Sequence, residues 1–246
     1  MKGIRSIVRM LILESEGTTG FKMIFLAGLP GGGKSTLVDR LGLGGQFTTC
    51  NIDHFYEDDL AAELGTADLA QVEDEYSPLE RKRKKALAGE GPDLTPEERD
   101  EHHRLADIRS RAQSMFQGAI KSFKQQVGEV CQIGSNFIID GTASNADKII
   151  RDKAKYESMG YECAMIFVDI DTETSVERNK ARGKKGKRSI ASHIIRRQGK
   201  GMPDNIEPYS EAFGRNFFLV SNRGSLEDYE EAIDAIQDGV QSFMER

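Results

Sequence analysis

The strongest constraint on this chain is a glycine-rich run, G-L-P-G-G-G-K-S, at residues 28–35. It matches the pattern G-x-x-x-x-G-K-[ST] in full, and Thr36 follows it. The glycines permit positive φ and a close approach of the backbone, so successive N–H groups can surround phosphate oxygens. Such a run is expected between a buried strand and a helix whose N-terminus faces the anion.

Both flanks of the run meet this requirement. Residues 23–27 are continuously apolar, as in a strand covered on both faces of a parallel sheet. After the run, Leu37, Val38 and Leu41 recur at helical spacing. Lys34 would reach the β- and γ-phosphates of a nucleotide, and the Ser35 hydroxyl would bind Mg²⁺. The predicted nucleotide-binding residues are Gly28, Leu29, Pro30, Gly31, Gly32, Gly33, Lys34, Ser35 and Thr36.

Strand and helix patterns alternate along the rest of the chain. Short apolar runs predict four more strands, at residues 47–52, 136–140, 163–170 and 216–220. Helical periodicity predicts three later helices, at residues 146–159, at 174–182 and after Ser225. This alternation predicts an α/β fold, a three-layer sandwich with a mostly parallel five-stranded sheet.

One long segment, residues 57–130, interrupts the alternation and predicts a helical insertion packed on the core. Within it, Thr95 as N-cap, Pro96 at the first helical position and Glu98 at the third mark a helix start with a capping box. His102 and His103 lie in a charged part of this helix, so we expect both to be solvated and without a functional role.

Two acidic residues stand where predicted strands end. Asp53 follows the second strand and Asp140 ends the third, and ligands of such sheets bind beyond the carboxyl ends of strands. Asp53 could take a proton from an acceptor hydroxyl, and Asp140 could bind Mg²⁺ or orient a neighbouring side chain. A helix cap or turn is the alternative for each. Phe55 and Tyr56, beside Asp53, could stack on a nucleobase or pack against the insertion.

The charge distribution is uneven. The net charge of −6, from 34 basic and 40 acidic residues, excludes a uniformly basic protein that coats nucleic acid. Residues 178–200 nevertheless hold ten Lys and Arg and no Asp or Glu, which leaves 24 basic and 40 acidic residues elsewhere. A charge run is often only a solvated face. Downstream of a phosphate loop, we expect residues 178–203 to form a basic lid that faces phosphates.

Cysteine usage and hydropathy bound the cellular context. The three cysteines are far apart in sequence and predict neither a disulfide framework nor a zinc site, but free thiols in the cytoplasm. No apolar run is long enough to span a membrane. Because Met23 begins the core strand, residues 1–22 are expected to be an appended arm that folding and activity do not require. The oligomeric state stays open.

Together these residues resemble the P-loop kinases of the bacteriophage polynucleotide kinase and zeta-toxin-like group, over most of residues 23–222. Beside the phosphate loop, the resemblance is carried by Asn51-Ile52-Asp53 and Ile138-Ile139-Asp140-Gly141-Thr142. Its most specific element is Glu177–Gly183, which contains the lid pattern R-N-x-x-R-G.

That resemblance implies a P-loop NTPase fold, with a kinase domain over residues 23–246, and ATP and Mg²⁺ as cofactors. It implies that Asp53 activates the acceptor. It also implies that Arg178 and Arg182, with Lys34, stabilise the transferring phosphoryl group.

The resemblance further implies a nucleic acid, here DNA, as the substrate. In the polynucleotide kinase pattern an arginine stands three residues after the catalytic aspartate, whereas this chain has Tyr56. The departure favours the hydroxymethyl group of 5-hydroxymethyluracil in phage DNA as acceptor, and hence the host cytoplasm if the protein is viral. Three alternatives stay open: a 5′-hydroxyl polynucleotide kinase, a zeta-toxin-like kinase of nucleosides or nucleotide sugars, and a non-enzymatic binding module switched by ATP.

Overall fold

The computed structural model describes residues 20–246, apart from the side chain of Asp58. Residues 1–19 of the predicted arm therefore lie outside the described range. The first strand begins at Phe21, two residues before Met23. Lys22 is only 2% exposed and pairs with Glu162, so the last residues of the predicted arm are part of the folded core.

The five predicted strands are all present in residues 20–246, and two helices that the sequence did not predict, Ser192–Gly201 and Ile206–Phe213, precede the last strand. The strands are β1 (Phe21–Gly28), β2 (Thr48–Asn51), β3 (Phe137–Asp140), β4 (Tyr161–Asp169) and β5 (Phe217–Ser221). The helices are α1 (Lys34–Arg40), α2 (Glu57–Leu64), α3 (Leu69–Leu87), α4 (Pro96–Ile133), α5 (Ala146–Glu157), α6 (Thr172–Lys184), α7 (Ser192–Gly201), α8 (Ile206–Phe213) and α9 (Leu226–Glu245). None of these helices is long and apolar enough to cross a membrane.

The five strands form one parallel sheet in the order β2-β3-β1-β4-β5. β1 lies in the middle and pairs with β3 from Met23↔Phe137 to Leu26↔Asp140. It pairs with β4 from Phe21↔Tyr161 to Gly28↔Val168. Because the pairs are parallel, β1, β3 and β4 all end at the same edge of the sheet. The glycine-rich run follows β1 at that edge.

The chain divides into two compact units. Of the described residues, the first unit comprises 20–50, 127–171 and 198–246, and the second comprises 51–126 and 172–197. The second unit therefore contains most of the predicted insertion and most of the predicted basic lid.

A separate apolar core holds each unit together. In the first unit, Ile24 and Leu26 of β1 pack with Ile166 of β4 and with Ile233 and Phe243 of α9. These strand side chains are almost fully buried, which explains why the strands are continuous apolar runs in the sequence rather than alternating ones.

In the second unit, α2, α3 and α4 supply the core. On α4 the buried residues Leu105, Ile108, Ala112 and Ala119 recur at helical spacing. They mark the side of the helix that packs against the rest of this core.

Helix capping follows the sequence closely. The Thr95 Oγ1 atom accepts a hydrogen bond from the Glu98 N–H, and the Glu98 carboxylate accepts one from the Thr95 N–H. The same reciprocal pair joins Ser225 and Asp228 at the start of α9. These capping boxes satisfy N–H groups that have no partner within the helix.

The expectation that His102 is solvated was wrong. Its ring is buried, stacks on Tyr76 with centroids 4.9 Å apart, and places Nε2 2.8 Å from a Glu80 oxygen. The charged neighbours in sequence suggested solvent, but helical geometry turns this one position towards α3.

Candidate functional site

The phosphate loop in the first unit has the backbone that its glycines permit. Gly28, Gly31 and Gly33 have φ of 140°, 72° and 91°, values that disfavour other residues. At Gly28 a side chain would also meet the neighbouring strand, because a Cβ atom there would lie 2.7 Å from the Val168 carbonyl oxygen. Helix α1 begins directly after Gly33, as an anion-binding loop requires.

Lys34 turns back over the loop. Its Nζ atom donates to the carbonyl oxygens of Gly28 at 2.9 Å and Leu29 at 3.4 Å. The same ammonium lies 3.7 Å from Oδ1 of Asp140, the last residue of β3. Both side chains are mostly buried, so the predicted phosphate-binding lysine and the predicted carboxylate form one charged pair beside the loop.

The donor set around the loop fits a nucleotide with Mg²⁺. The Ser35 side chain is exposed on the first turn of α1, where a hydroxyl can ligate a metal bound to phosphates. Asp140 adds a carboxylate in the same unit. Residues 20–246 contain no cluster of three or more His, Cys, Asp or Glu suited to a metal. Ser35 and Asp140 are the residues of this unit that could serve as protein partners of a Mg²⁺ ion bound to phosphate.

Asp53 lies in the second unit and is held at two points. Its N–H donates to the Asn51 side chain at 2.8 Å, which starts a short 3₁₀ turn over Ile52–Phe55. Its Oδ2 atom lies 2.6 Å from Nη1 of Arg188. The Arg188 side chain is 10% exposed and that of Asp53 is 26% exposed, so the carboxylate is partly open while its partner is enclosed.

Tyr56 and Glu57 fix Arg188 in turn. The guanidinium carbon of Arg188 lies 5.0 Å from the centre of the Tyr56 ring, and the Arg188 N–H donates to Glu57 at 3.1 Å. Arg182 donates to both Glu57 oxygens at 2.9 Å. Burial opposes ionisation of Glu57, but these donors hold the pKa of its carboxyl below the usual value. Burial raises the pKa of Tyr56 to about 12, against the effect of Arg188.

Two residues of the R-N-x-x-R-G pattern have architectural roles. Asn179 is buried, donates to the Ile190 carbonyl at 2.7 Å and accepts from the Ile190 N–H at 2.9 Å. Gly183 leaves room for Asp68, since a Cβ atom there would lie 2.5 Å from its carboxylate. Asp68 accepts from the Ser189 hydroxyl at 2.6 Å. The asparagine and the glycine thus anchor the segment that carries the arginines.

The basic run is partly neutralised within its own unit. Arg182 and Arg188 pair with Glu57 and Asp53, and two further pairs join Lys180 to Asp74 at 2.6 Å and Arg196 to Glu173 at 2.8 Å. Arg178 is exposed on α6. Four of the ten basic residues of this segment are therefore engaged in defined ion pairs, while Lys184, Lys185 and Lys187 are exposed.

The packing alternative holds for the aromatic pair beside Asp53. Tyr56 is buried and meets Phe116 edge-on, with ring centroids 5.7 Å apart, and Phe55 packs on the same core. The buried Tyr56 ring is therefore not available for stacking on a base, and the partly buried Phe55 ring contributes to the core.

The structure adds residues that the sequence did not single out. Arg188 stood in the basic run, but nothing local connected it to Asp53. Asn222 donates to the Gly32 carbonyl oxygen at 2.7 Å, and the Tyr229 hydroxyl donates to that of Gly33 at 2.9 Å. Glycine-rich loops predict bound phosphate but not the side chains that support them.

The parallel sheet, the glycine-rich turn after its central strand and the helix that follows define a P-loop NTPase-like domain. Residues 23–208 match the AAA_33 family, an AAA domain. The chain belongs to this family.

Similar solved structures include a toxin–antitoxin system, an RNA repair complex and a sugar kinase. The PezAT toxin–antitoxin system of Streptococcus pneumoniae matches with 15% identity and a TM-score of 0.47, covering 98% of this chain and 95% of that one. The Pnkp1/Rnl/Hen1 RNA repair complex matches with 17% identity and a TM-score of 0.45, covering 78% and 48%. A sugar kinase from Janibacter sp. HTCC2649 matches with 14% identity and a TM-score of 0.44, covering 90% and 95%.

At these TM-scores the structural similarities carry no conclusion about activity. The comparison with curated proteins gives no match.

Proposed function

We propose that this protein is an ATP- and Mg²⁺-dependent kinase that transfers the γ-phosphate to an alcohol hydroxyl, with nucleic acid as the acceptor. One observation carries the proposal: a partly open carboxylate, Asp53, is fixed by Arg188 in the compact unit that also contains Arg178 and Arg182. A domain that only bound nucleotide would have no use for an oriented carboxylate base together with arginines.

Asp53 would accept the proton of the acceptor hydroxyl. Because Arg188 engages Oδ2, the proton would pass to Oδ1, and the hydroxyl oxygen would become the nucleophile. The hydrogen bond between the Asp53 N–H and Asn51 further limits rotation of this residue. A base fixed in this way loses little freedom when the acceptor binds.

The remaining residues would balance negative charge. Lys34 would exchange its contacts with loop carbonyls for phosphate oxygens, while Arg178 and Arg182 would stabilise the charge that develops during transfer. Planar, permanently charged guanidinium groups suit this role. Mg²⁺ bound near Ser35 would supply charge neutralisation for the phosphates, and Asp140 would keep Lys34 oriented or contribute to the metal site.

For the acceptor, we propose the hydroxymethyl group of 5-hydroxymethyluracil in phage DNA. The support is the sequence resemblance together with Tyr56, which is buried where the polynucleotide kinase pattern has an arginine. The −6 net charge also disfavours nonspecific coating of DNA. Substrate recognition would then depend on local contacts rather than on a broad basic surface.

The test is transfer from γ-labelled ATP to separate acceptors, with analysis of product mass. The acceptors are duplex DNA containing 5-hydroxymethyluracil, DNA and RNA with a free 5′-hydroxyl, nucleosides and UDP-sugars. Labelling of the modified base supports the proposal in full. Labelling of only 5′ ends or only soluble acceptors keeps the kinase and overturns the acceptor. ATP binding with no transfer to any acceptor overturns the kinase and favours a nucleotide-switched binding module.

A further inference from the structure

We propose that Asn222 and Tyr229 are positioning residues that aim two N–H groups of the phosphate loop at bound phosphate. The inference rests on the nucleotide-binding part of the proposed function and is independent of the acceptor. Asn222 directly follows β5, and Tyr229 lies in the first turns of α9. Both belong to the same compact unit as the loop.

The contacts are two hydrogen bonds to consecutive carbonyl groups. The Asn222 Nδ2 atom donates to the Gly32 oxygen at 2.7 Å, and the Tyr229 hydroxyl donates to the Gly33 oxygen at 2.9 Å. The Gly33 oxygen also accepts the Leu37 N–H at 3.1 Å, the first hydrogen bond of α1. The end of the loop is thus held by hydrogen bonds from the residue after β5, from α9 and from α1.

Because the peptide bond is planar, these two contacts also set the direction of two N–H groups. In a planar trans peptide, the C=O of one residue and the N–H of the next point in opposite directions. A carbonyl of Gly32 turned towards Asn222 therefore turns the Gly33 N–H away from it. In the same way, the carbonyl of Gly33 bound to Tyr229 sets the direction of the Lys34 N–H. These are N–H groups at the start of α1, which have no acceptor within the helix and favour anions.

The same two side chains limit the space around the Cα atom of Gly33. A Cβ atom on Gly33 would lie 2.9 Å from Asn222 Nδ2 and 2.9 Å from the Tyr229 hydroxyl. With φ at 91°, the glycine is required both by its backbone conformation and by the close approach of its supports. The supports and the glycine therefore form one tightly fitted arrangement.

Both supporting side chains are themselves fixed. Asn222 is 4% exposed, and its own N–H donates to the Asp169 carbonyl at 2.7 Å. Tyr229 is 3% exposed, and its ring packs in the core of the first unit. A donor held in this way can preorganise the loop before phosphate binds, which lowers the ordering penalty of binding.

The experiment measures ATP–Mg²⁺ and ADP–Mg²⁺ affinity of the full chain by calorimetry. Tyr229→Phe keeps the packed ring and removes only the hydroxyl. Because the hydrogen bond to the Gly33 carbonyl is then lost, the Kd should rise about threefold to tenfold. Asn222→Asp replaces the donor by a carboxylate that repels the Gly32 carbonyl, so its Kd should rise further, by roughly tenfold or more.

Tyr161→Phe is the matched control. The Tyr161 hydroxyl also donates to a backbone carbonyl, that of Ser135, at 3.2 Å, and its ring is also buried. It lies at the start of β4, at the sheet edge opposite the loop. Removal of the Tyr161 hydroxyl should lower the melting temperature and leave the Kd of ATP unchanged. Tyr229→Phe should raise the Kd of ATP, whatever its effect on the melting temperature.

The outcomes separate the inference from the proposed function. If the wild-type chain binds neither ATP nor ADP, the nucleotide-binding part of the proposed function fails. If the wild type binds and Tyr229→Phe binds equally well, the positioning role of Tyr229 is overturned. A Kd that rises equally in Tyr161→Phe would reduce both tyrosines to general stabilisers of the fold and would also overturn the inference.

Discussion

Arg188 places Nη1 2.6 Å from Oδ2 of Asp53, although the two residues come from opposite ends of the second unit's sequence. The pair links the segment after β2 to the segment that carries the lid arginines. Glu57 extends this link, because it accepts hydrogen bonds from both Arg182 and the Arg188 backbone. Movement of either segment would therefore disturb the proposed base as well as the arginines.

Asp53→Asn should abolish phosphoryl transfer while leaving the affinity for ATP unchanged. The amide cannot accept the proton from the acceptor, and loss of a general base costs about 10²–10⁴-fold in rate. Labelled ATP measures transfer, and calorimetry measures binding. Asp74→Asn is the control, because Asp74 pairs with Lys180 in the same unit but on an exposed surface. Full activity in Asp53→Asn would remove Asp53 as the base.

Arg188→Ala should lower kcat by roughly 10²-fold, the scale expected when a catalytic group is displaced, with KM for ATP unchanged. Added guanidinium should restore part of the rate, since a free guanidinium can occupy the space beside Asp53. Arg188→Lys should rescue less, because an ammonium cannot reproduce the planar contact with the Tyr56 ring.

Arg109→Ala is the matched control for Arg188→Ala. Arg109 also pairs with a carboxylate, Glu73 at 2.8 Å, and its guanidinium lies 4.0 Å from the Tyr76 ring. Its variant should keep kcat and should not respond to guanidinium. Equal losses in the two alanine variants would show that Arg188 acts only through stability of the unit.

Gly183→Ala should destabilise the protein by about 1–3 kcal/mol, the range typical of overpacking. The added methyl would meet the Asp68 carboxylate, which caps α3 and binds Ser189. Gly118→Ala, in the same unit, has open space around the new methyl and should instead stabilise α4 by up to about 1 kcal/mol. Urea denaturation measures both variants, and a shift of the same sign would contradict the steric explanation.

Deletion of residues 1–22 should lower stability relative to deletion of residues 1–19. The longer deletion removes Phe21 and Lys22 from β1 and leaves Glu162 without its lysine partner. Removing one partner of a largely buried hydrogen bond costs about 1–3 kcal/mol. Thermal unfolding of the two truncated chains measures the difference. Identical melting temperatures would restore the expectation that all 22 residues are dispensable.

Alkylation of two buried cysteines should be slow at pH 8–9 in the folded protein. Burial raises the pKa of Cys50 to about 11 and that of Cys163 to about 12. The reactive thiolates therefore form only at higher pH, whereas unfolded cysteine ionises near pH 8.5. The same shift means that stability is lost as pH rises above about 8.5. Mass spectrometry of iodoacetamide adducts, native and in urea, measures the rates. Fast native labelling of Cys163 would contradict its burial.

Local signals in the sequence proved sufficient for much of the fold. The glycine pattern, the apolar strand before it, the capping box at Thr95 and the helix start at Ser225 depend on residues within a few positions of each other. Such features follow from backbone geometry and hydrogen bonding along the chain. The strand pattern also predicted a parallel sheet, which is confirmed.

Contacts between distant segments could not be predicted in this way. His102 has charged neighbours in the sequence but is buried against Tyr76 in the fold. Arg188 contacts Asp53 only through folding of the second unit. The sequence does not indicate which acidic residue will pair with each arginine of the basic run. The supports of the phosphate loop, Asn222 and Tyr229, were hidden for the same reason.

Within residues 178–183, the residues that support the fold differ from those proposed to act on phosphate. This difference matters for recognising divergent relatives. Asn179 and Gly183 serve the architecture, so a pseudoenzyme could keep both and still fold this segment after losing Arg178 and Arg182. Under the proposed function, a homologue with only the asparagine and the glycine would keep the scaffold and lack the arginines that stabilise the phosphoryl group. The two arginines are then the positions at which the proposed function would separate active homologues from inactive ones.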